Sequence, residues 1–195
     1  MSKTVWKAGT LLSPVPLAMV TCGTMEKPNI ITIAWTGIVN SYPAMTYISV
    51  RPSRYSHAII KESGEFAINL TTSALVRAAD FCGVKSGEKV DKFAKMHLTP
   101  VAASMISAPL IDESPVSLEC RVTEIKSLGT HDMFLAEILC VDVDDKYIDE
   151  NGKLLLHKSS LAAYSHGEYF ALGKRLGSFG YTVKKRPRNP KEPRQ

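Results

Sequence analysis

A chain of 195 residues with 45% hydrophobic side chains suits one globular domain with a sizeable core better than two. The net charge of +5 invites a nucleic-acid partner, yet six of the 24 Lys and Arg and only one of the 19 acidic residues lie in the Pro-punctuated tail KKRPRNPKEPRQ from Lys184 onward. The body is therefore electroneutral and has no basic stripe interleaved with aromatics, which argues against nucleic acid; the expected organisation is one domain over residues 1 to 183 and a flexible basic tail over 184 to 195.

Residues 1 to 15 form a lead-in in which Trp6 and Leu11-Leu12 are available to dock on the core or on a partner. No stretch has the continuous apolar length of a signal peptide or a membrane span, so a cytoplasmic protein is expected. Cys22, Cys82, Cys120 and Cys140 are widely spaced with no CxxC pair, which predicts reduced, mostly buried thiols and no metal site. Asn69-Leu70-Thr71 matches a glycosylation sequon and, without an export signal, is read as chance.

Three β-branched runs, Ala18 to Cys22, Ile30 to Trp35 and Met45 to Val50, predict strands, the first two joined by a turn over Glu26-Lys27-Pro28-Asn29. Alternation puts Ile31 and Ile33 on one face of the second strand and Thr32 and Ala34 on the other. Trp35-Thr36-Gly37 ends that strand, and Gly37 leaves its backbone amides open to a ligand. Thr32, Thr36, Asn40 and Ser41 then form one polar cluster, suited to a flat polar heterocycle.

Arg51, Ser53, Arg54 and Ser56 form a second cluster before a predicted helix that Ser53 caps and Gly64 ends, ahead of a strand from Glu65 to Leu70. Free amides and partial positive charge in a first turn suit a phosphate. Ordinary capping by Ser53 beside an exposed Arg pair is the other reading of the same residues. A further short helix is expected over Ala74 to Phe81, and Ser86 to Met96 reads as a polar loop entering a helical turn. GVKSGEK lacks the spacing and the Lys-Ser/Thr ending of a nucleotide P-loop. Residues 98 to 115 contain three prolines and suggest irregular structure or short edge strands. Val116 to Ile125 and Met133 to Val143 predict two long strands joined by a hairpin at Gly129-Thr130-His131-Asp132, and the glycine-rich HGEYFALGKRLGSFGY suggests a segment pressed against another backbone or subunit.

This grammar describes a small, mainly antiparallel β-barrel with helical insertions. It lacks GxGxxG, HExxH, a nucleophile elbow and a Walker motif. The order of PVPLAMVTCG, NIITIAWTG, SVRPSRYSHAIIKESGEFAINL and GTHDMFLAEI, covering roughly residues 10 to 180, resembles the flavin reductase-like family, nearest its flavoredoxin-type members. That resemblance implies a Greek-key-like, FMN-binding split β-barrel that forms a homodimer. It implies that Asn29, Thr32, Ala34, Trp35 and Thr36 line the ring and ribityl side with Asn40 and Ser41 nearby, that Arg51, Ser53, Arg54 and Ser56 hold the phosphate, and that Lys92, next to Phe93, reaches the cofactor. His131 occupies the position near flavin and nicotinamide; a hydrogen-bonded turn histidine is the alternative. His57 either assists the phosphate or packs on its helix.

A flavin requires an apolar wall, which Trp35 can supply, donors at its pyrimidine edge and neutralisation of its phosphate. The expected function is an NAD(P)H-dependent flavin or ferric reductase in which hydride passes from NADH or NADPH to flavin N5, a step that needs alignment more than an acid or base. An FMN electron carrier without a nicotinamide reaction is the alternative, and a barrel dimer holding another planar ligand such as haem is a third, against which no histidine has an axial-ligand context.

Overall fold

Strands that bury both faces cannot alternate apolar with polar, and the unbroken runs near the start of the chain obey that rule. The computed structural model describes residues 1–184; the tail from 185 onward lies outside the described residues. β1 (Val15–Pro16), β2 (Ala18–Gly23) and β3 (Pro28–Ile33) lead into β4 (Thr36–Ser41) and β5 (Ala44–Val50), then α1 (Tyr55–Ser63) and β6 (Glu65–Leu70). A 3-10 turn at Ser73–Leu75, α2 (Val76–Val84) and α3 (Lys92–Met96) follow, with the short β7 (Pro100–Val101) and β8 (Leu110–Ile111). The long β9 (Val116–Ser127) and β10 (Asp132–Val143) come next, and β11 (Ala162–Ser165) and β12 (Glu168–Ala171) end the fold.

Seven strands form one antiparallel sheet in the order β3-β2-β6-β9-β10-β5-β4. Its end strands are consecutive in the chain, so the short turn at Ala34 and Trp35 brings the two ends of the sheet together as a barrel; the Ser49 amide donates to the Trp35 carbonyl at 2.9 Å and extends the β4–β5 ladder into that turn. Inside it, Val20, Ile31, Ile33, Ile48, Phe66, Ile68 and Phe134 pack with Ile60 of α1. Outside it, Met19 and Ile30 face the opposite way and meet Ala79 and Cys82 of α2 and Phe93 of α3. The side-chain period of two puts neighbours Met19 and Val20 in different cores, so β2 and β3 are covered on both sides.

Three features differ from expectation. The chain resumes as β4 after Trp35 because Thr36 and Asn40 hold the β4–β5 hairpin with their side chains; Ile38 to Ser41 are exposed on an edge, where no alternation marks a strand. Arg54, not Ser53, is the N-cap of α1, and it makes no side-chain capping bond. The glycine-rich end of the fold contains β11 and β12, turned at His166 and Gly167 with φ of 49° and 92°, in a three-stranded sheet with β1. Gly64 ends α1 in the left-handed region as expected, at φ 68°. No helix among the described residues is long and apolar enough to cross a membrane.

Candidate functional site

Beyond the C-terminal end of β3, where the ladder stops, the backbone turns and leaves a cleft of about 430 Å³, within the range of about 300–1,000 Å³ common for small-molecule sites. Ile31, Thr32, Ala34 and Trp35 form one side and Ser49 and Arg51 of the β5 end another. Asp80, Gly83 and Val84 close it from α2, Tyr164 and Tyr169 from the small sheet, and His131 stands at the β9–β10 turn. Trp35, Tyr164 and Tyr169 make an aromatic wall with successive ring centroids 6.3 and 5.9 Å apart. The Tyr169 hydroxyl donates to Asp80 at 2.8 Å; burial and that acidic partner push its pKa up to about 12, so it stays a donor.

Ile31, Arg54, Gly83 and Val84 also line a second pocket of about 90 Å³, so the two spaces adjoin. Ser53, Arg54, Ser56 and Lys92 face this smaller pocket beside the first turn of α1, and no acidic residue lines it. Lys92 is 4% exposed and donates to the carbonyls of Ile30 at 2.6 Å and Cys82 at 2.8 Å. An ammonium has three hydrogens, so one is left for the pocket. Burial lowers the Lys92 pKa, with the Cys82 and Cys22 thiols opposing and Arg54 adding to the fall. An anion in the pocket would reverse that trend. The Ser56 hydroxyl accepts from Asn29 Nδ2 at 2.8 Å, which leaves its own hydrogen to donate. Asn29 Oδ1 is buried with no protein partner, and a Cβ on Gly87 would lie 1.9 Å from it.

The structure thus brings Thr32, Ala34, Trp35, Arg51, Arg54 and His131 to the cleft and Ser53, Arg54, Ser56 and Lys92 to the pocket. Asn29 lines neither and supports Ser56 from behind. Thr36, Asn40 and Ser41 also line neither: Thr36 donates to the Tyr47 carbonyl at 2.6 Å, Asn40 to the Pro43 carbonyl at 2.9 Å, and Ser41 is exposed near the hairpin tip. Their polarity serves the β4–β5 hairpin. Thr32 spends its hydroxyl on the Ala79 carbonyl at 2.5 Å, fixing α2 to β3. Ser86 and Gly87 of the GVKSGEK stretch line the pocket without any P-loop spacing. Tyr164 and Tyr169 escaped a sequence reading because only the β11–β12 hairpin carries them to the cleft; the aromatic, glycine-punctuated HGEYF was their one local sign.

Partial burial and, after it, the Arg51 guanidinium lower the pKa of His131 and favour its neutral form. An aromatic-walled cleft opening onto a small cationic pocket fits a flat heterocycle with a phosphate on its side chain, and the spare hydrogens of Lys92 and Ser56 answer the phosphate.

The split, mainly antiparallel barrel is of the flavin-reductase type. The model of the flavin reductase like domain matches residues 11–172, and the chain belongs to that family. The flavoredoxin of Desulfovibrio vulgaris (Miyazaki F) superposes with a TM-score of 0.87 at 33% identity, covering 94% of this chain and 100% of that one. An uncharacterized protein of Archaeoglobus fulgidus is 34% identical over 152 residues, 76% of this chain and 85% of its own length. The NADH-dependent FMN reductase RutF of Stutzerimonas stutzeri is 26% identical over 103 residues, 53% of this chain and 57% of its own.

Proposed function

We propose that this protein binds FMN and works as an NAD(P)H-dependent flavin or ferric reductase. The observation that carries the reading is the pocket lined by Arg54, Lys85 and Lys92 with no acid, joined to the aromatic cleft at Arg54. Arg54, Lys92, Ser53 and Ser56, with the free amides of the first turn of α1, hold the phosphate dianion. Trp35, Tyr164 and Tyr169 form the wall for the ring, and Ala34 leaves room beside it. When bound, FMN supplies the capacity to take two electrons at once and release them singly. Burial and, after it, the Arg51 guanidinium favour the neutral form of His131 at the cleft, where a ring nitrogen is available to hydrogen-bond the carboxamide of a nicotinamide and orient it.

An electron carrier is the second reading, favoured by the 33% identity to a flavoredoxin across that protein's whole length. We infer a homodimer as well: Trp6, Leu12, Leu176 and Phe179 are 74%, 88%, 93% and 105% exposed, more apolar surface than a monomer commonly leaves open. The four free thiols, three of them buried, suit a reducing compartment such as the cytoplasm. The deciding experiment is the visible spectrum of the purified protein, followed without oxygen as NADH or NADPH is added. Flavin bands that bleach within the mixing time support the reductase and identify its donor. Bands that persist until dithionite is added favour the carrier, and failure to bind added FMN removes both readings.

A further inference from the structure

Two parts of the site are far apart in sequence, and one side-chain pair outside the site joins them. The pocket is bordered by Arg54 and Ser56 of the first turn of α1, while His131 stands in the cleft one residue before β10 begins. His57, the next residue of α1, turns away from the pocket; its Nε2 lies 2.8 Å from Oδ2 of Asp132, the first residue of β10. Both side chains are largely enclosed, at 9% and 15% exposure, and the imidazole is held edge-on by Phe134, with ring centroids 5.2 Å apart at 75°. Neither residue lines the cleft or the pocket. Asp132 also pairs with Val50, whose successor is Arg51, the cleft cation beside His131.

The β9–β10 and β10–β5 ladders fix the hairpin as far as Asp132, and beyond them the turn itself has few ties. The turn is held by the Leu128 amide donating to the His131 carbonyl at 2.9 Å and by Thr130 Oγ1 lying 2.9 Å from His131 Nδ1, both contacts within the turn itself. Gly129 has φ 92°, and Lys126 to Thr130 are exposed. Among the described side-chain hydrogen bonds, the one from His57 ties this turn region to a helix.

We propose that His57 and Asp132 are a positioning pair, which sets His131 against the phosphate pocket so that one rigid unit grips both the phosphate end and the reacting end of the cofactor. The proposal rests on the flavin reading for its purpose, but the geometry it asserts belongs to the protein alone. The charged neighbours of the pair are Lys61 on α1, which helps hold the Asp132 carboxyl below its usual range after the hydrogen bonds from His57 and Ser127, and Arg51 on the His131 side. Cutting the pair frees the His131 turn and leaves every phosphate contact in place.

The test compares His57→Phe, which keeps the ring against Phe134 and loses the bond, with His57→Gln, whose amide still donates to Asp132. His57→Phe is expected to leave the FMN dissociation constant, measured by fluorescence quenching, within about twofold and to raise the KM for the preferred nicotinamide about tenfold with kcat nearly unchanged. His57→Gln restores KM to within about threefold of the parent. In the flavin-free protein, the NMR ring signals of His131 shift and broaden in His57→Phe and return in His57→Gln. Asp132→Ala cuts the same bond from the strand end and gives the first pattern if His57→Phe does not fold. Unchanged His131 signals and unchanged KM in a folded His57→Phe or Asp132→Ala protein would overturn the proposal. A parent protein that binds no FMN defeats the flavin reading, and the His131 signals still decide the pair.

Discussion

Gly87 holds open the small cationic pocket by having no side chain. A methyl group there would lie 1.9 Å from the Asn29 carboxamide oxygen and 3.4 Å from Tyr55, so the amide would have to rotate and release Ser56. Gly87→Ala should therefore weaken FMN binding at least about tenfold and cost about 1–3 kcal/mol of stability, the usual range for an overpacked site. Fluorescence quenching on titration with FMN measures the first and urea denaturation the second. The cations act by charge, so Arg54→Ala with Ser53→Ala is expected to lower the affinity for FMN sharply and that for riboflavin, which has no phosphate, hardly at all. Equal losses for the two flavins would place Arg54 on the ring instead. Residue types singled out Ser53, Arg54 and Ser56, clustered within four positions, and the structure puts all three in the lining of one pocket. Gly87 could not be read the same way: its requirement arises from Asn29, 58 positions earlier, and no local pattern encodes a contact that distant.

Elements were legible where one face or both faces were buried throughout. β2, β3, β6 and the inner half of β9 met that condition, and so did α1, which Gly64 ends. β4 and β12 did not, because both are mostly exposed edges whose order comes from a neighbouring strand. The segment from 102 to 109 is held in another way, by a buried carboxylate in place of a strand partner. Glu119 of β9 is fully buried and accepts from the amides of Ser104 at 2.7 Å and Met105 at 2.6 Å. Burial pushes its pKa up, but those two amides, the Cys140 thiol and the neighbouring Asp142 carboxyl outweigh it and hold the carboxyl below its ordinary value. Asp142 moves the opposite way, raised first by burial and then by Glu119, so the pair shares its last proton unequally. A depressed folded-state pKa gives Glu119 a stabilising contribution above its unfolded value that is lost as the pH falls through the folded one. Acidification through the lowered Glu119 pKa should release this segment, and Glu119→Gln should lose that acid-dependent step while costing stability at pH 7. Hydrogen exchange at the Ser104 and Met105 amides, followed against pH, is the check; protection in Glu119→Gln equal to the parent at neutral pH would refute it.

On the scale of the molecule, the barrel completes its core alone, whereas the flanking segments do not bury their own apolar side chains. Phe66 and Phe134 are fully buried inside the barrel, yet residues 1–14 and 172–184 contribute almost nothing to either core and carry Trp6, Leu12, Leu176 and Phe179 into solvent. Large aromatic side chains can each bury about 150–250 Å² on contact, so a second copy covering these segments would hide the area that a stable association needs. The barrel and the association are then separable. Deleting residues 2–12 should leave the Tm of the dilute protein within about 3 °C of the parent, since the deleted side chains touch neither core, while weakening the proposed dimer by at least about tenfold in light scattering or sedimentation. A truncated protein that stays dimeric at the parent's concentration would move the association to another face, for which the exposed β4 edge with Ile38, Val39 and Tyr42 is the strongest remaining apolar surface. If the dimer dissociates and FMN affinity falls with it, the partner contributes to the cofactor site. If affinity holds, Arg54, Lys92 and Ser56 of one chain are sufficient for the phosphate, and the dimer serves stability alone.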